Sequence, residues 1–247
     1  MKQSRILLAT VLLTLMLSGC SADPADPAAP KTGELQSEFA NISLALAEFQ
    51  KTENAQAKGW IRLEDTEIDN PVFQGKDNEF YLRLGDDGAY SIWGCYYADF
   101  ECDLTDELSR CTIIYGHSTL DDETEGERFT ELKKLNIGSF AEDHRYFFFA
   151  TGGKEYVATI FSVGYWPNSS QYLYANPTDP AFEELLEDAR ARSIYNYDVE
   201  VGLEDKIIIL STCTGSEEER YVVMAKLSNA YEGKPGDLKV NPTPKGA

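Results

Sequence analysis

Apolar residues recur along this chain at two different periods. Between Glu34 and about Ala57, Leu35, Phe39, Ile42, Leu46 and Phe49 fall three or four positions apart with no proline among them. That spacing lines one face of an α-helix and predicts an amphipathic helix or helix pair. After Gly59 the pattern changes to short runs rich in β-branched and aromatic residues. These are Trp60 to Leu63, Val72-Phe73, Phe80 to Leu84, Ser91 to Trp93, Thr112 to Tyr115, Tyr146 to Ala150, Tyr156 to Val163, Ile207 to Thr212 and Tyr221 to Leu227. Gly, Asp, Asn and Pro punctuate the gaps, so the expected class is mainly β with helices (α+β), a barrel or sandwich rather than a wound sheet. One helix interrupts the later strands over 180–193, where Phe182, Leu185, Leu186 and Ala189 form a stripe. Asp179 can cap it and Pro180 suits its first turn, while Glu183, Glu184, Arg190 and Arg192 complement its dipole.

The first residues have a different character. Lys2 and Arg5 precede the apolar stretch Ile6 to Leu17, which ends in Leu17-Ser18-Gly19-Cys20. This is a signal-peptide layout, and a run of roughly a dozen residues falls short of the ~20 that a membrane span needs. The ending resembles a bacterial lipobox, which implies that 1–19 is removed and Cys20 becomes a lipid attachment point on the outer face of the cytoplasmic membrane. An ordinary signal peptide ending in Cys is the alternative. Residues 20–33 then form a Pro/Ala/Asp spacer, 34–58 a helical extension, 59–230 one folded domain and 231–247 a tail without fixed structure.

Charge narrows the partners. Twenty-two basic residues against 42 acidic ones give a net charge of −20, which argues against nucleic acid. The acidic run Asp121-Asp122-Glu123 reads as solvated surface rather than a calcium site, and no metal or cofactor is expected. Beyond Cys20, the four cysteines Cys95, Cys102, Cys111 and Cys213 lack zinc-ligand spacing. In an exported chain one disulfide among the first three is possible, with the pairing open, and Cys111 reads equally well as a small core residue.

Three residues carry candidate chemistry. The buried-looking strand Ile207 to Leu210 runs into Ser211-Thr212-Cys213, which places a thiol at a strand end. Arg220 opens the following strand and, if the two pair antiparallel, lies beside Cys213. His117 follows the strand Thr112 to Tyr115 through Gly116, again at a strand end. A thiol needs a base or cation to ionise, and acyl chemistry needs a donor for the oxyanion, roles open to His117 and Arg220. The other histidine, His144, lies in the polar turn Glu142-Asp143-His144-Arg145 and reads as surface. Tyr165-Trp166 and Tyr172-Leu173-Tyr174 could line a peptide groove or pack the nearby helix, and Tyr96-Tyr97 is open to the same two readings.

The segments Ile114-Tyr115-Gly116-His117-Ser118, Leu210-Ser211-Thr212-Cys213 and Arg220-Tyr221-Val222-Val223 resemble, in order, the histidine, cysteine and arginine motifs of class B sortases. Gly59-Trp60-Ile61, Thr66 to Gln74 and Asp77 to Leu82 are similar to the opening strands of that family. The resemblance covers about 35–230. It departs at Ile209, where the family has Thr, in a short loop of six residues between Cys213 and Arg220, and in the lipobox, since most sortases keep an uncleaved N-terminal helix.

The resemblance implies a closed β-barrel of about eight strands with a helix between the sixth and seventh. It implies a cysteine transpeptidase in which Cys213 attacks the peptide bond after Thr in a C-terminal sorting motif and forms a thioacyl enzyme. An amine of the peptidoglycan cross-bridge then releases it, so the implied partners are sorting-motif-bearing surface proteins and a wall amine. His117 would serve as acid/base, Arg220 as oxyanion-side cation, and Thr212 with Ser211 as substrate or oxyanion contacts. A cysteine peptidase sharing these residues, or a non-catalytic binding lipoprotein of the same fold, are the alternatives.

Overall fold

The computed structural model describes residues 32–105, 107–119, 123–169, 171–229 and 236–246. The expected signal peptide, Cys20 and nearly all of the spacer lie outside these residues, as do Asp121 and Asp122.

Eight strands close into a barrel: β1 (Gly59–Arg62), β2 (Asp69–Gln74), β3 (Tyr96–Ala98), β4 (Cys111–Tyr115), β5 (Tyr146–Thr151), β6 (Lys154–Pro167), β8 (Lys206–Cys213) and β9 (Glu219–Ser228); the short β7 (Tyr195–Asn196) stands outside it. Around the barrel the order is β1-β2-β3-β4-β8-β9-β6-β5, with β5 returning to β1. The pairs β2–β3 and β4–β8 are parallel and the rest antiparallel. A parallel pair needs a long crossover. The connection from β4 to β8 carries a 3-10 segment (Arg128–Asn136), α2 (Gly138–Asp143), β5, β6 and α3 (Asp179–Arg192), which lies between the sixth and seventh barrel strands. Strand β8 is buried along Ile207 to Thr212, which explains a continuous apolar run where a half-exposed strand would alternate.

The predicted N-terminal helix is a single helix, α1 (Thr32–Thr52), ending where Glu53 and Asn54 both donate to the Phe49 carbonyl. Ile42 and Leu46 dock it on the outside of the barrel. Ile42 packs with Phe148, Ala150 and Val157, and Leu46 with Ala57, Phe73, Tyr81 and Tyr97. No helix among the described residues is long and apolar enough to cross a membrane.

Several expectations need correction. Phe80 to Leu84 and Ser91 to Trp93 are turns joined by one bridge, Leu84 to Tyr90, rather than strands. Asp77 Oδ1 accepts from the Glu79 and Phe80 N–H groups and Asp87 Oδ1 from Ala89 N–H, so Asx-turn bonding overrides β propensity there. The third barrel strand is Tyr96–Ala98 instead.

The C-terminal segment, expected to lack structure, forms β10 (Lys239–Val240) against β7 over 236–246. Asn241 binds the Ile194 and Ser193 carbonyls, and Lys245 pairs with Asp188 and donates its backbone N–H to Ala191. These anchors are tertiary and have no local sequence pattern. His144, expected at the surface, stacks on Phe140 at 3.7 Å and bonds Asp65 Oδ2 at 3.1 Å. Cys95, Cys102 and Cys111 are buried free thiols. Cys102 Sγ accepts from Ile113 N–H and lies 3.4 Å from the Cys111 carbonyl, and burial pushes both thiols up to about 12.

Candidate active site

The topology brings three strand ends to one rim. Because β4 and β8 are parallel, with Tyr115 opposite Ser211, the residues leaving β4 emerge beside those leaving β8. Those residues are Gly116 and His117 on one strand, Thr212 and Cys213 on the other. The antiparallel return of β9 then places Arg220 directly opposite Cys213. Together with Leu82, Tyr97, Tyr115, Asn168, Tyr172, Leu173 and Ser211 they line a cleft of ≈ 280 Å³. Clefts of ≈ 430 and ≈ 510 Å³ elsewhere are larger, but none contains a thiol or an imidazole, so chemistry rather than size selects the site. No metal-ligating cluster of His, Cys, Asp and Glu occurs among the described residues.

Each side chain is held by named bonds. His117 Nε2 lies 2.9 Å from the Leu82 carbonyl. A carbonyl only accepts, so Nε2 carries the proton and the neutral ring keeps its lone pair on Nδ1. Burial holds the His117 imidazole below its ordinary value; the Leu82 bond opposes this, and Arg83 and Arg128 add to it. Arg220 Nη1 donates to the Glu217 and Glu219 carbonyls, folding the guanidinium onto the β8–β9 turn. That turn is tied to the end of β6 by Asn168, which donates to the Glu217 and Glu218 carbonyls. Cys213 is half-buried, and its carbonyl lies 3.0 Å from Ser118 Oγ on the histidine loop.

The two hydroxyls expected to meet substrate already have partners. Thr212 Oγ1 donates to the Gly116 carbonyl at 2.7 Å and ties β8 to the histidine loop. Ser211 Oγ shares a hydrogen bond of 3.1 Å with the Tyr172 hydroxyl. Tyr172 is thus both packing and cleft wall: its ring meets Trp166 edge-on at 5.4 Å. Burial raises the Tyr172 hydroxyl above its usual range, as it does those of Tyr97 and Tyr115, so all three stay protonated as neutral donors near neutrality. Tyr115, Leu82 and Asn168 were not singled out from sequence, and Tyr97 only as half of an aromatic pair open to either packing or a groove. For Tyr115 a signal was present, because it directly precedes Gly116-His117, whereas Leu82 and Asn168 arrive only through the fold.

No family model matches the chain. Whole-chain comparison is decisive instead: the chain is 33% identical over 188 residues to Sortase B of Listeria monocytogenes, covering 74% of this chain and 73% of that protein. The chain belongs to the sortase B family. It is therefore a sortase, a cysteine transpeptidase built on a closed barrel. Solved sortase B structures superpose on it at comparable extent. The Staphylococcus aureus sortase B–substrate complex matches with a TM-score of 0.69 and 28% identity over 81% of this chain and 95% of that one. A sortase B complexed with triglycine matches with a TM-score of 0.69 and 28% identity over 81% and 96%.

Proposed function

We propose that this sortase cleaves a C-terminal sorting motif after Thr and transfers the acyl group to an amine of the cell wall, with Cys213, His117 and Arg220 as its catalytic residues. The observation that carries the assignment is the convergence of these three side chains on one cleft from the adjoining ends of β4, β8 and β9. Cys213 loses its proton to Nδ1 of His117 and attacks the Thr carbonyl. Arg220 offsets the charge that develops on the carbonyl oxygen. The imidazolium then protonates the departing amine, leaving a thioacyl enzyme and a neutral ring. An incoming amine attacks the thioester, His117 takes its proton, and collapse returns it to the thiolate. Low basicity helps one half of this exchange: the ring releases its proton readily to the leaving amine but takes it less readily from the thiol.

The aromatic and aliphatic walls, Tyr97, Tyr115, Tyr172, Leu82 and Leu173, fit an extended peptide, and the solved relatives complexed with substrate and with triglycine support a peptide donor and an amine acceptor. The Leu17-Ser18-Gly19-Cys20 sequence supports a lipid anchor at Cys20 that holds the enzyme at the outer membrane face.

The test is mass spectrometry of the protein from Lys31 onward, incubated with Pro-x-Thr and Asn-Pro-x-Thr peptides with and without a diamino acid. A product joined to the acceptor is expected. Cleavage without joining makes the enzyme a peptidase, and no reaction with an unlabelled Cys213 overturns the assignment. For the anchor, blocking lipoprotein signal processing should make the precursor accumulate, and an unchanged mature mass removes the lipid.

A further inference from the structure

His117 sits inside a closed circuit of contacts that passes through Arg128. Its Nε2–H donates to the Leu82 carbonyl at 2.9 Å. Gly94, at φ +55°, lies against that same carbonyl, where a Cβ would come within 2.7 Å of Leu82 O. The Gly94 carbonyl accepts from Nη2 of Arg128 at 2.6 Å, and Nη1 of the same guanidinium reaches Asp86 Oδ2 at 3.0 Å. Phe129, the next residue, closes the circuit by donating its backbone N–H to the His117 carbonyl at 2.8 Å. The segment at Arg128 thus grips both the loop that carries the histidine and the loop that accepts its hydrogen bond.

The surroundings impose this placement. Arg128 has φ +55°, a left-handed conformation that a side chain adopts only where its environment fixes it. Its side chain is 13% exposed, and its guanidinium lies 5.5 Å from the centroid of the Tyr96 ring. Tyr96 in turn stacks on Phe129 at 4.3 Å. An ion pair that served only to join two loops would need neither the strained backbone nor the second acceptor.

We propose that Arg128 is a positioning residue that clamps His117 in its Nε2-protonated orientation toward the cleft. Only the kinetic consequence rests on the acid/base reading of His117 given above. Among the described residues, the charged and titratable groups around the ring include Arg83 on the Leu82 loop, Arg128 with its partner Asp86, and Cys213, Arg220, Tyr97, Tyr115 and Tyr172 at the cleft. Burial is the main reason the ring resists protonation, and the two arginines add to it.

The chain has two histidines, and His144 lies against Phe140 and Asp65, outside the cleft lining, so it is an internal control. The experiment is a ¹⁵N NMR titration of both rings, with kcat and KM for peptide cleavage, in wild type, Arg128→Met and Arg128→Lys. In Arg128→Met the Nε2-protonated signature of His117 should blur and its midpoint rise. Its kcat should fall about tenfold with KM little changed, while the His144 signals are the same as in wild type. Arg128→Lys keeps a cation but reaches one acceptor, so the midpoint should stay near wild type while kcat falls several-fold. An unchanged His117 signature in Arg128→Met, or parallel shifts of both histidines, overturns the clamp. If Arg128→Met does not fold, Arg128→Lys decides alone, and wild-type kcat in it overturns the clamp. Should His117→Ala retain turnover while the NMR changes occur, the clamp stands and the acid/base role falls.

Discussion

Gly116→Ala tests how tightly the histidine loop is wedged. A Cβ at Gly116 would lie 2.7 Å from Phe129 Cδ2 and 2.7 Å from Tyr96 Cδ1, where carbon atoms normally rest at ~3.5–4.0 Å. Neither ring has room to retreat: both are fully buried and stack on each other at 4.3 Å. The backbone is held as well, since the Gly116 carbonyl accepts from Thr212 Oγ1 at 2.7 Å and its N–H donates to the Ser211 carbonyl at 3.4 Å. Overpacking of this kind costs about 2–3 kcal/mol. At roughly 2–4 °C per kcal/mol for a domain of this size, the melting midpoint should drop about 5–10 °C. Any relief taken by the backbone displaces the adjacent His117, and a misplacement of a fraction of an ångström should lower kcat about tenfold. Calorimetry paired with peptide-cleavage kinetics reads both. A variant with an unchanged midpoint and full kcat would show that the wedge does not exist.

Cys213→Ala should abolish acyl-enzyme formation and turnover while stability stays within about 0.5 kcal/mol, and retained cleavage would sink the mechanism. The lowered basicity of His117 means that, just below the usual histidine range of about 6.5, the unfolded chain binds the proton more readily than the folded one. Its contribution is therefore flat above that range, and stability falls as pH drops through it. Thermal melts of His117→Gln against wild type between pH 7 and 5 should show a shallower decline in the variant, and parallel curves would refute it. Tyr172→Phe removes the 3.1 Å bond to Ser211 but keeps the ring, so a loss of about 1 kcal/mol is expected in denaturant unfolding; no loss means the hydroxyls are not bonded. Ile42→Ala empties a fully buried contact beneath α1 and should cost about 2–5 kcal/mol. It should also open the α1–β1 linker to limited proteolysis before the barrel unfolds, and unchanged resistance would contradict the docking.

The meeting of Cys213 and His117 at one rim was legible because each lies at the end of a strongly apolar strand. Ile207 to Leu210 and Thr112 to Tyr115 announce their burial, so the residues that follow them must surface. The segment 75–95 was misread because Phe80, Tyr81 and Leu82 carry β propensity, while the bonds that bend the chain come from Asp77, Asp87 and Ser91. That error also hid Leu82, whose bond to His117 is made by a backbone carbonyl and therefore leaves no side-chain signature. The C-terminal strand was missed for a related reason. Its partners, Tyr195 and Asn196, and those of the residues after it, Ser193, Ile194 and Asp188, lie far back in the chain, and its own surroundings of Pro, Asn and Lys resemble a loop.

The turn between β8 and β9 is cross-stitched by Thr214, which bonds the Ser216 and Glu219 carbonyls, and by Asn168 just past the end of β6. With so short a hairpin there is no slack for one strand to slide along the other, so Cys213 and Arg220 move as a single part. Adjustment to different peptides or acceptors must then come from the side chains that wall the cleft, Leu82, Tyr97 and Leu173, rather than from the hairpin backbone. A variant library aimed at new substrates should concentrate its diversity there and leave the hairpin untouched.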